Sequence, residues 1–126
     1  MKTRNLMVAV LLTAGSFTMS SFAQDNIKAL IQKCENMDDV EANIIRNKDG
    51  KKHSFRTSIE LTLNYTPALE KELVDAFHKD EDKATRVMES KKGGKMTDMM
   101  YEFENGKVRY TFNTDNNKIQ IMVIER

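Results

Sequence analysis

The sequence predicts an α+β domain: a mostly antiparallel five-stranded sheet with helices packed on one face, in the order α-ββ-αα-βββ. Three observations lead there. The spacing of apolar residues switches along the chain between a period near 3.6 and a period of 2. Most of the alternating stretches are joined by short turn sequences, which suit antiparallel neighbours. The alternation leaves one strand face polar, so only the other face needs helices over it.

Residues 25 to 37 carry the first helical pattern. Ile27, Leu30, Ile31 and Cys34 fall on one face, with Gln32, Lys33 and Glu35 opposite. Asp25 or Asn26 is placed to cap the orphan N–H groups of the first turn. The period then changes. Val40, Ala42 and Ile44 alternate with Glu41, Asn43 and Ile45, and Asn47-Lys48-Asp49-Gly50 reads as a turn. Phe55, Thr57, Ile59, Leu61, Leu63 and Tyr65 next share one face of a long strand. Ser54, Arg56, Ser58, Glu60, Thr62 and Asn64 share the other.

Thr66-Pro67 marks a helix start, because proline at the first helical position gives up an N–H that would be unpaired anyway. Leu69, Leu73, Ala76 and Phe77 form its apolar stripe, and it should stop near Lys79. Asp80-Glu81-Asp82 then reads as the acidic start of another helix. Ala84, Val87 and Met88 would face inward, Lys91 and Lys92 would suit its far end, and Gly93-Gly94 would stop it. Three strands close the chain. Met99, Tyr101 and Phe103 lead to Asn105-Gly106, a dipeptide suited to a type I′ hairpin turn. Val108, Tyr110 and Phe112 follow, alternating with Arg109, Thr111 and Asn113. After the turn Asp115 to Lys118, the last strand carries Ile119, Ile121 and Val123 on its inner face.

Residues 1–23 read as an address. Lys2 and Arg4 precede the apolar run Leu6 to Leu12, and Ser21-Phe22-Ala23 puts small residues before a cut after Ala23. The run is far shorter than the roughly 20 apolar residues of a spanning helix. No cysteine stands at a lipidation position, so no stable membrane anchor is expected. Residues 24–126 are then a single domain, exported to the periplasm or the extracellular space. Removing Lys2 and Arg4 takes the formal net charge from +1 to −1. That balance argues against nucleic acid as a partner. A chain with one cysteine can form no internal disulfide and no Cys-rich zinc module.

Chemistry-bearing patterns are few. His53 and His78 are the two histidines, and neither has a partner at i+3 or i+4 resembling HExxH. Cys34 with either histidine offers a thiol–imidazole pair on paper, but Cys34 lies on an apolar stripe where burial would silence it. Asp80 to Asp82 and Asp115 to Asn117 lack the alternating ligands and closing Glu of a calcium loop. The lysine-bearing tips Lys48 to His53 and Lys91 to Lys95 read as solvated loops, and Tyr101 and Tyr110 as core. There is no GxSxG and no phosphate-binding loop. No catalytic residue, metal ligand or cofactor is assigned.

The stretches LIQKCENMDDVEANIIRNKDG, TPALEKELVDAFHKDEDKATRVM and YEFENGKVRYTFNT give the chain a resemblance to small exported domains of unknown function from gut bacteria. That resemblance implies a fold and an envelope location, and transfers no functional residue. The leading expectation is a non-catalytic domain that binds a macromolecule or envelope component through the polar sheet face. Arg56, Ser58, Glu60, Arg109 and Thr111 are the candidate residues, with Ser54, Thr62 and Asn113 beside them. The alternatives are a small thiol hydrolase built on Cys34 and a histidine, and strand-addition assembly through Ile119 to Ile124, expected to lie at an edge.

Overall fold

A computed structural model of the chain describes residues 25–48 and 54–126. The address read at 1–23 and the rest of the turn expected from Asn47 to Gly50, with the tip to His53, lie outside the described residues. The elements run α1 (Asp25–Glu35), β1 (Glu41–Arg46), β2 (Thr57–Asn64), α2 (Pro67–Lys79), a 3-10 turn at Glu81–Lys83, β3 (Arg86–Lys92), β4 (Lys95–Phe103), β5 (Val108–Asp115) and β6 (Lys118–Glu125). All strand pairs are antiparallel, and the sheet order is β1-β2-β6-β5-β4-β3. β2 and β3 therefore run in the same direction with three strands between them, the width that α2 and the turn after it cross.

The sheet has six strands and the layer two helices, which corrects the expected five strands and third helix. The segment read as that helix is strand β3. Ala84, Val87 and Met88 have helical spacing, but Val87 and Met88 point to opposite sides of the sheet, opposite Tyr101 and Met100. Every residue of β3 is exposed, so no helical stripe had a core to enter. One side of its backbone is hydrogen-bonded to β4, a pairing that overrides local preference. Gly93-Gly94 is the tip of that hairpin. Both have positive φ (60° and 77°), as a two-residue type I′ turn requires. The other two-residue turn with this conformation is Asn116-Asn117 (φ 50° and 63°). The connection around Asn105-Gly106 is longer, with Glu104, Asn105 and Gly106 all at positive φ.

The core lies between the helices and one sheet face. Ile27, Leu30, Ile31 and Cys34 of α1 and Leu69, Leu73, Ala76 and Phe77 of α2 meet Leu61, Leu63, Met99, Tyr101, Tyr110, Phe112, Ile119 and Ile121. Phe77 docks α2 edge-on to Tyr101 at 5.1 Å and to Phe112 at 5.4 Å. A bulge between Ser90 and Lys91 changes the parity of β4, so Met96 joins Met99 on the inner side. The hydroxyl oxygen of Thr66 accepts from the Leu69 N–H at 3.1 Å and caps α2 as expected. The cap of α1 comes from elsewhere. The buried Asp80 carboxylate accepts from the Ile27 N–H (2.8 Å) and the Asn26 side chain (2.7 Å). One residue thus ends α2 and starts α1.

Candidate functional site

The helices leave the other sheet face open, and pairing register assembles that face into three rows. Directly opposite positions give Arg86, Glu102, Arg109, Ile124, Ser58 and Ile45 in the first. The second holds Met88, Met100, Thr111, Met122, Glu60 and Asn43. Ser90, Asp98, Asn113, Gln120, Thr62 and Glu41 make the third. Directly opposite side chains are near neighbours on a sheet face, so strands far apart in sequence build one surface.

The predicted site residues are brought together here. Ser58, Glu60, Arg109 and Thr111 all sit on this face, as do Thr62 and Asn113, and exposed Arg56 shares their parity one residue before β2. Their environments differ. Ser58 and Glu102 are buried although they belong to the open face. Arg109 explains the second: its Nε (2.9 Å) and Nη2 (2.8 Å) both reach Glu102 Oε2, on a carboxylate only 10% exposed. Arg109 is therefore partly committed within the sheet. Glu60, Thr62, Thr111, Asn113, Gln120 and Met122 line a hollow of about 220 Å³.

The sequence reading placed Met122 as an apolar residue on this face but did not assemble the middle row. Met88 (49% exposed), Met122 (36%) and half-buried Met100 put thioethers on a face expected to be polar except where Met122 and Ile124 end the last strand, and Ile45 (51%) adds an apolar side chain to the neighbouring row from β1. Met100 carries the same wet-face parity in the sequence, a signal that was available. Met88 was hidden by the helical reading of β3.

One expectation changes, and the reading of Cys34 as a buried residue holds. The last strand is not at an edge: β6 is hydrogen-bonded to β2 on one side and β5 on the other. The edges are β1 and β3, and all six residues of β1 are exposed. Cys34 has no surface exposure and belongs to the core. Burial, with the nearby Glu72 charge, pushes its thiol up to about 11, so little thiolate exists near neutral pH.

Away from the open face, His78, Glu81 and Glu89 are the one group of three metal-ligating side chains that the described residues bring together. It lies on the helix-covered side, at the β3 edge.

No curated protein matches the chain. What the geometry describes is a two-layer α+β domain with one sheet face left uncovered, and the family model that fits it carries the description Domain of unknown function (DUF5024). That model spans residues 24–124, and the chain belongs to this family.

Proposed function

We propose that the domain is an exported, non-catalytic binding module and that the open sheet face docks a macromolecule or envelope component. The observation that carries this reading is the middle row. Met88 and Met100 on β3 and β4 and Met122 on β6, with Thr111 of β5 between them, make an adaptable and mainly apolar strip, between a row holding Arg86, Glu102 and Arg109 and a row rich in amides and hydroxyls. Unbranched thioethers fit varied surfaces, and polar flanks fix register. The test passes envelope extract over the immobilised protein and measures the affinity of the retained partner for variants. Met122→Lys and Arg109→Ala should each weaken it about tenfold or more, while Lys71→Ala on the solvent side of α2 should not. Unchanged affinity in both face variants removes the face from consideration.

A second reading is strand addition at β1, favoured by an edge strand exposed along its whole length with Ile44 and Ile45 among its residues. Self-association abolished by Ile44→Lys supports it. A concentrated protein that sediments as a monomer counts against it.

A further inference from the structure

We propose that His78, Glu81 and Glu89 form a binding site for one late first-row divalent cation, with zinc the best fit. The three residues come from the last turn of α2, the 3-10 turn and β3, and one ligand atom from each lies within 4.8 Å of the others. His78 Nε2 is already 3.1 Å from Glu89 Oε2. Ligand atoms around a tetrahedral zinc stand about 3.3–3.6 Å apart, given bonds of about 2.0–2.2 Å. Closing the group onto a cation takes side-chain shifts of about 1 Å, which the exposure of all three residues allows.

Two further features favour a cation at this spot. Tyr101 is fully buried, and its hydroxyl lies 2.9 Å from Glu89 and 3.4 Å from Glu81. A hydrogen bond from a fixed donor orients a ligating carboxylate, the role that outer partners play around metals. The two carboxylates also converge with little compensation. Among the described residues, neither is ion-paired with a lysine or arginine, and His78 is the only basic group paired with either. The C-terminal end of α2, where His78 sits, adds the negative end of a helix dipole. One imidazole with two carboxylates is a mixed nitrogen and oxygen set, which suits zinc and its neighbours over calcium or magnesium. Three protein ligands leave a fourth position open.

The test titrates the purified, tag-free protein with Zn²⁺ by calorimetry and with Co²⁺ by visible absorption. One equivalent of Zn²⁺ should bind, Co²⁺ should give the intense d–d bands of a four- or five-coordinate ion, and Ca²⁺ and Mg²⁺ should not compete. His78→Ala, Glu81→Gln and Glu89→Gln should each weaken binding about tenfold or more, and His53→Ala should leave it unchanged. Zinc should also raise the thermal midpoint of the parent and not of Glu89→Gln, whose metal-free midpoint shows whether that variant folds. No binding at millimolar Zn²⁺ overturns the site, as does affinity that survives in His78→Ala or Glu89→Gln, or is lost in His53→Ala. Tighter binding of Ca²⁺ than of Zn²⁺ overturns the assignment of the metal.

Discussion

Asp80 joins the two helices, and its removal should cost far more than an aspartate after a helix end suggests. The side chain is 3% exposed. Its Oδ2 accepts from the Ile27 N–H at 2.8 Å, and its Oδ1 accepts from Asn26 Nδ2 at 2.7 Å and, weakly, from the Asn26 N–H at 3.4 Å. Asp80→Ala strands the N–H of Ile27, a residue 1% exposed, where water has little access. An unsatisfied buried donor costs about 1–3 kcal/mol. The variant also takes a negative charge from the positive end of α1, worth about 0.3–1 kcal/mol. The expected loss is about 2–3 kcal/mol, or roughly 10 °C or more in Tm for a domain of this size. Urea and thermal denaturation of Asp80→Ala, Asp80→Asn and Asp25→Ala measure it. Asp80→Asn should fall between the parent and Asp80→Ala, because its amide oxygen still accepts one bond. Asp25→Ala should shift stability by less than about 0.5 kcal/mol, since Asp80 supplies the cap. Asp80→Ala within about 0.5 kcal/mol of the parent, or Asp25→Ala as damaging as Asp80→Ala, would refute the reasoning.

Three other outcomes are expected. Cys34 should resist alkylation in the folded protein at pH 8 and react at once in guanidinium; fast labelling without denaturant would contradict its burial. Its thiol ionises near 9 when unfolded and near 11 when folded. Its contribution is therefore complete below pH 9 and lost as pH rises from 9 towards 11, about 2–3 kcal/mol in all. Tyr101 is shifted in the same direction, by burial first and then by its hydrogen bond to Glu89, so Cys34→Ala should remove only part of the alkaline slope. Phe77→Ala should cost about 3–5 kcal/mol, because it empties the space between Tyr101 and Phe112; a loss under 1 kcal/mol in urea unfolding would show that α2 is docked otherwise. A Cβ at Gly94 meets nothing within 4 Å, yet φ there is +77°. Gly94→Ala should therefore cost about 1 kcal/mol from backbone strain alone, with Gly94→Asn closer to neutral; equal costs for both would point to contacts instead.

Local chemistry explains which elements were legible. Thr66-Pro67 with the stripe Leu69, Leu73, Ala76 and Phe77 specified α2 to the residue, because cap, proline and periodicity all act within one segment. The long alternation to Asn64 likewise specified which side of β2 is wet. β3 was not legible. Its seven exposed residues carry no burial pattern, and only β4 across the Gly93-Gly94 turn makes them a strand. The candidate face was half legible: parity selected Ser58, Glu60, Arg109 and Thr111, but register had to set Met88, Met100 and Met122 in one row.

By itself the sequence determined the class of the domain, the helix α2, the core faces of β2, β4, β5 and β6, and a buried cysteine. Those follow from side-chain spacing, which the backbone period converts directly into faces. Tertiary structure alone decided that β6 lies in the middle of the sheet, that Asp80 caps a helix 53 positions away, and that His78, Glu81 and Glu89 converge. Each depends on strand order and helix docking. These are set by burial of apolar surface across the whole chain, which no local window of sequence contains.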